Sequence, residues 1–173
     1  MKIKVRLSDA GLRDAERQIQ EYKTTLNQKA QLFAKALADK GLAVAKIRFA
    51  NAQYAGENDV SCRVEQNRNT CAIIADGKAV AFIEFGTGVM HSAYGGKLPD
   101  GVGEHGTYGK ENGKHKRWYY YGESGNAGTP VKEVDGKGQL NYTSGNDAAM
   151  AMWGAVEEMA SQVEATWREV WNS

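Results

Sequence analysis

Leu12, Ala15, Ile19, Tyr22, Leu26, Phe33 and Leu37 recur at steps of three, four and seven residues, with Arg13, Glu16, Arg17 and Lys23 set between them. Only a helical repeat puts all seven on one face, so a long amphipathic helix is the first constraint on the fold. Heptads are not sustained over many turns, which favours a helix packed on its own sheet over a free coiled coil. Ser8 or Asp9 can cap its start with a side-chain oxygen. Gly41 marks an end or a kink, after which Leu42, Val44, Ala45, Ile47 and Phe49 predict a second helical piece running toward Tyr54. Ahead of the helix, Lys2 to Leu7 alternates, with Ile3, Val5 and Leu7 on one face, as a short edge strand would.

Asn51 to Asp59 has the composition of a loop. Val60 to Gln66 and Thr70 to Asp76 then read as a hairpin around Asn67-Arg68-Asn69. A three-residue turn there would set Cys62 opposite Ile74 rather than Cys71, so a cross-strand bridge is disfavoured and two reduced, partly buried thiols are expected. Asp76-Gly77 turns the chain into Ala79 to Gly88, an apolar run with one carboxylate, Glu84, that closes on Gly86, Thr87 and Gly88. By alternation Glu84 faces solvent; if buried it must be paired, because an isolated buried charge is very costly. The expected arrangement has Phe82 and Phe85 packed on the long helix or hairpin. Glu84 then accepts hydrogen bonds from backbone or a basic residue and fixes a turn at Gly86.

Fifteen of the twenty glycines fall between Gly86 and Gly145, which predicts loops and tight turns there. Within that stretch Trp118-Tyr119-Tyr120-Tyr121 is strongly strand-like, and Val131 to Val134 with Gln139 to Tyr142 can form a hairpin around Asp135 to Gly138. Asn146-Asp147 can cap a last helix whose stripe is Met152, Ala155, Val156, Met159, Val163, Trp167 and Val170. Trp153, Trp167 and Trp171 do not all fit that stripe, so Trp153 and Trp171, together with Trp118 to Tyr121, are candidate subunit or partner contacts. Residues 1–54 carry eleven Lys and Arg against five Asp and Glu, and residues 146–173 carry one Arg against five acids, so the two ends attract.

The search for chemistry yields little. His91, His105 and His115, near Asp100 and Glu104, match no metal-ligand spacing. Gly101-Val102-Gly103 and Gly106-Thr107-Tyr108-Gly109 lack the lysine and the strand-to-helix setting of a phosphate loop. No nucleophile elbow occurs, and neither thiol lies in a catalytic pattern. Lys110, Lys114, His115, Lys116 and Arg117 running into the Trp118–Tyr121 aromatics could bind a nucleic-acid strand, although interspersed carboxylates dilute the patch. Catalytic, cofactor and metal residues are therefore assigned to none; a metal-dependent hydrolase drawing on the histidine-bearing segment is the remotest alternative.

A net charge of +1 removes the overall basicity of a duplex-binding protein. No apolar run is long enough for a bilayer and no signal-peptide block opens the chain, so a soluble protein made in the cytoplasm, with no membrane partner, is expected. The 173 residues suit one domain, 1–173, with 89–145 as a glycine-rich insertion containing short strands. The predicted class is α+β: long N-terminal and C-terminal helices on a small, mostly antiparallel sheet.

One order of features goes further. A long basic helix, a hairpin, Phe82-Ile83-Glu84-Phe85-Gly86-Thr87-Gly88, and Ala148-Ala149-Met150-Ala151-Met152-Trp153 opening a last helix together resemble the tail-completion, or head–tail joining, minor proteins of long-tailed bacteriophages and prophages. These include the gene-product-ten-like family of lambdoid phages. The resemblance runs from about Ile19 across most of the chain. It departs at Ala149 and Ala151, which stand where proline is expected, so the start of the last helix is less sharply fixed. It implies a non-enzymatic virion component without cofactors, made in the bacterial host cytoplasm. Such a protein forms a homo-oligomeric ring at the head–tail junction or tail end, in contact with neck, tail-terminator or tail-tube proteins, with DNA at most passing through.

Overall fold

The computed structural model describes residues 8–88 and 116–172. The predicted strand at Lys2 to Leu7, the three histidines and the basic residues Lys110 and Lys114 lie outside the described residues. The class is α+β, in the order α1 (Asp9–Ala50), β1 (Ser61–Asn67), β2 (Thr70–Asp76), α2 (Val80–Phe85), β3 (Trp118–Tyr121), β4 (Thr129–Val134), β5 (Gly138–Thr143) and α3 (Ala151–Asn172).

Helix α1 is a single element of 42 residues, about 63 Å at the helical rise. Ser8 caps it, its Oγ accepting from the Gly11 N–H at 3.2 Å. The break predicted at Gly41 does not occur. Gly41 instead marks a close approach of α1 to its neighbours: a Cβ there would lie 2.7 Å from Met159 Cγ, 2.8 Å from Ile73 Cδ1 and 3.0 Å from the Ala155 carbonyl oxygen. The absent side chain lets α3 and β2 close on the helix, and the loss of helix propensity is offset by that packing.

Helix α3 lies antiparallel to α1. Lys29 Nζ reaches the Val170 and Trp171 carbonyls at 3.1 and 3.3 Å, Lys40 Nζ reaches Thr166 Oγ1 at 2.9 Å, and Arg48 Nη1 reaches the Met150 carbonyl at 3.0 Å. The basic α1 thus runs along the acidic α3, with Lys40 also paired to Glu169 at 3.2 Å, and Lys29 sits on the negative end of the α3 dipole. The face of α3 against α1 is one of small residues: Ala151, Gly154, Ala155 and Thr166 are buried. The predicted apolar stripe is split: Ala155 is buried and Met159 lies against Gly41, whereas Val156, Val163 and Trp167 are exposed and Met152 and Val170 are only partly covered.

The strands form two antiparallel sheets, β1-β2 and β3-β5-β4. In the hairpin Asn67 pairs with Thr70, so the turn has two residues rather than three, with Arg68 at φ 51°. Two-residue turns with positive φ match the twist of the strands they join. Cys62 accordingly faces Ala75 and Cys71 faces Gln66, and both thiols are free. In the second sheet β4 is an edge strand, where Pro130 costs no ladder bond, and its register shifts between Pro130 and Lys132. The second half of the glycine-rich stretch is therefore strand and turn; residues 89–115 lie outside the description.

The core is small and lies where the end of α1, α2 and the start of α3 meet. Phe49, Ala52, Ala79, Ile83 and Ala151 form it, with Tyr54, Val60, Cys62 and Met152 around them. Within α2, Ile83 is fully buried, whereas Phe82 is 40% exposed, so the motif's apolar contribution to the core is led by its aliphatic residue.

Candidate functional site

The motif of residues 82–88 is a joint between two helices. Alternation does not govern it, because Val80–Phe85 is helical. Its start is held by Asp59, whose Oδ2 and Oδ1 accept from the Lys78 and Ala79 N–H groups at 2.8 and 2.9 Å. These backbone donors hold the Asp59 carboxyl below its usual range. At the other end, the free carbonyls of Ile83 and Glu84 accept from the N–H groups of Ala149 and Met150 at 2.9 and 3.1 Å. The last-turn acceptors that a short helix leaves open are thereby satisfied by a distant strand of chain.

Glu84 completes the joint. It is 6% exposed, and its Oε2 and Oε1 accept from the N–H groups of Met152 and Trp153 at 2.9 and 3.2 Å. These are the second and third residues of α3, the donors that an N-cap side chain ordinarily serves. The residue at that cap position, Met150, has no side-chain oxygen to offer and stands at φ 46°. Glu84 therefore caps α3 from 66 positions upstream, and its charge faces the positive end of the helix dipole. The predicted cap at Asn146-Asp147 is corrected: Asn146 pairs with the motif instead. Thr87 and Asn146 exchange backbone hydrogen bonds at 2.9 and 3.0 Å, Thr87 Oγ1 donates to Asn146 Oδ1 at 2.6 Å, and Asn146 Nδ2 donates to the Phe82 carbonyl at 3.1 Å. Gly86, at φ 74°, lets the chain turn there; a Cβ would come within 2.7 Å of the Ala148 nitrogen. Gly88 follows, also at positive φ.

Both Glu84 oxygens are engaged on backbone, and among the described residues no group of three His, Cys, Asp or Glu side chains is placed to hold a metal. Burial pushes the nearby Cys62 thiol up, Lys46 opposes that, and Glu84 adds to it, so the thiol is held away from its nucleophilic form.

A polar cleft of about 510 Å³ lies between the loop after α1 and the turn after β3, lined by Tyr54, Glu57, Asn58, Glu123, Ser124 and Asn126 among others. Asn126 ties its walls: its Oδ1 accepts from the Tyr54 N–H at 2.7 Å and its Nδ2 donates to the Ala52 carbonyl at 2.9 Å. Burial, then Asp59, pushes the Tyr54 hydroxyl up. The Ser124 hydroxyl in its lining donates to the Gly125 carbonyl at 3.4 Å.

The predicted contact aromatics do not form one surface. Strand alternation leaves Trp118 and Tyr120 half-buried and turns Tyr119 and Tyr121 outward. The Tyr119 ring lies 5.4 Å from that of Tyr142, and Lys137 Nζ lies 5.6 Å from the centre of the Tyr121 ring. Trp153 sits beside the joint. Trp171 lies at the far end of α3, stacked 5.7 Å from Trp167 and edge-on to Phe33 of α1 at 5.7 Å. Arg48, Asp59, Asn126 and Asn146 hold the molecule together without having drawn notice as such. Their partners are backbone groups remote in sequence, for which no local pattern exists.

Compared with known proteins, the chain matches no family, no curated protein and no solved structure.

Proposed function

We propose that this chain is a non-enzymatic structural component of a phage or prophage virion, acting in tail completion or head–tail joining as one unit of an oligomeric ring. The observation that carries the reading is the Phe82–Gly88 motif in its setting. Its one carboxylate is spent on two backbone donors of α3, which is the work of a scaffold residue rather than a reagent. The order of helix, hairpin, motif and final helix in which that joint sits is the one the resemblance rests on. Exposed apolar side chains on both long helices suit a subunit whose surface is completed by neighbours. The test is binding: the purified protein self-associates and binds adjacent neck or tail-tube proteins. A protein that stays monomeric at high concentration and binds neither overturns the reading.

A second reading has one observation in its favour. Tyr119 and Tyr121 are outward-facing on β3, with Lys137 over the Tyr121 ring, as on a platform for stacking single-stranded bases. Retention on a single strand that falls steeply with salt would support it; no retention at low salt removes it.

A further inference from the structure

Strand pairing sorts the second sheet into two unlike faces. Residues opposite each other in antiparallel strands share a face, so two rows cross the sheet side by side. One is Tyr119, Tyr142 and Thr129; the other is Tyr121, Leu140 and Lys132. The rows lie about 7 Å apart along the strands and each is about 10 Å wide. Tyr119 and Tyr121 are 63% and 49% exposed, and Lys137 stands over the Tyr121 ring. The opposite face is closed, with Asn141 and Thr143 buried and Trp118 and Tyr120 half-buried. The irregularity in β4 decides the charge of the open face. In unbroken register Val131 would oppose Leu140, which would put Glu133 beside the tyrosines and Lys132 behind them. The shift between Pro130 and Lys132 instead sets Lys132 opposite Leu140, and Glu133 opposite Gln139 on the far side. Among the described residues neither Lys132 nor Lys137 has a carboxylate partner.

We propose that this face binds a single-stranded nucleic acid, with bases stacked on Tyr119 and Tyr121 and phosphates met by Lys132 and Lys137. The inference rests on the second reading above and relocates its site. The continuous run from Lys110 to Tyr121 is not the binding surface, because Trp118 and Tyr120 belong to the closed side; β4 and β5 supply the rest of the site. Outward rings on alternate residues of one strand offer π faces to successive bases, and such stacking does not depend on base identity. The two rows carry two lysine neighbours and no carboxylate, so the face attracts a phosphate backbone. Leu140, the one aliphatic side chain in the rows, is half-buried, so the face lacks the apolar centre of a protein interface. A duplex keeps its bases inside the stack, so the face selects strands over duplexes. Its dimensions hold about two or three nucleotides.

The test titrates the full chain against a fluorescein-labelled oligothymidylate, read by fluorescence anisotropy through a series of salt concentrations. Two double variants are compared with wild type, Tyr119→Ala with Tyr121→Ala and Lys132→Ala with Lys137→Ala. Unchanged far-ultraviolet circular dichroism marks each as folded; Tyr119→Thr with Tyr121→Thr, which keeps strand propensity, replaces the first pair should it not fold. Wild type is expected to bind at low salt, and the tyrosine pair to weaken binding roughly tenfold or more with the salt dependence kept. The lysine pair is expected to lower the slope of log affinity against log salt by about 1.4. An abasic strand of the same length should bind wild type roughly tenfold more weakly than the oligothymidylate. Wild-type binding that survives both sets of substitutions overturns this face as the site and leaves the nucleic-acid reading standing. Equal binding of the abasic strand, or displacement by polyglutamate as effective as by unlabelled oligothymidylate, overturns it in favour of a surface for acidic partners. No binding by wild type at low salt overturns both the site and the second reading, and leaves the ring reading untouched.

Discussion

Glu84→Ala removes both acceptors from the start of α3 without touching any other backbone contact of the joint. Two N–H groups, of Met152 and Trp153, lose partners at 2.9 and 3.2 Å. Hydrogen bonds to a charged acceptor contribute about 1.5–3 kcal/mol each, and loss of an N-cap costs about 0.5–2 kcal/mol. The bonds act on one helix end and part of their gain offsets the desolvation of a buried carboxylate, so the net cost is about 2–4 kcal/mol. Glu84→Gln keeps one acceptor oxygen but turns an amide donor toward the other N–H, and costs about 1–2 kcal/mol. Urea unfolding followed by circular dichroism measures both, with the slope unchanged if only stability moves. Amide exchange adds a local readout: Met152 and Trp153 should exchange faster in the alanine variant while mid-helix amides keep their relative order. An alanine variant within about 0.5 kcal/mol of wild type, or unchanged exchange at those two amides, refutes the capping role.

Gly41→Ala gains helix propensity but places a methyl group against Met159, Ile73 and the Ala155 carbonyl, so it should destabilise by about 1–3 kcal/mol in the same unfolding assay. Ala149→Pro removes the N–H bonded to the Ile83 carbonyl at 2.9 Å and should lower stability by about 1–3 kcal/mol, despite the proline expected there by resemblance. Asn126→Ala cuts both side-chain ties across the cleft and should cost about 1–2 kcal/mol, with faster exchange at the Tyr54 amide. Asp59 has a lowered carboxyl pKa in the fold, so its contribution is present above the unfolded value near 3.8 and is lost as pH falls below it. Stability measured from pH 5 downward should therefore fall less steeply in Asp59→Ala than in wild type.

The elements that repeat locally were legible in the chain. The α1 stripe, the two β-rich runs of the hairpin and the run Trp118–Tyr121 all follow from side-chain period, and the structure has an element at each. What was misread depended on distant partners. Gly41 is punctuation in isolation and a packing contact once α3 and β2 lie against it. Asn146 has the chemistry of a helix cap, yet the cap of α3 comes from Glu84, because the non-helical residues 147–150 separate Asn146 from the helix start. The α3 stripe was visible as a period, but a period does not say which side meets the neighbour. Glycine and alanine allow the close approach of α1, and the larger residues Trp153, Val156, Val163 and Trp167 were left outside. Glu84 was recognised as needing a partner if buried; which donors it takes could be read only from the fold.

The reading of this chain as a ring component of a virion is tested most directly by electron microscopy of assembled particles in which the protein carries a visible label. The account predicts closed-ring density at the head–tail junction or tail end, and heads and tails that fail to join when the protein is absent. Complete, joined particles that lack the protein would contradict it.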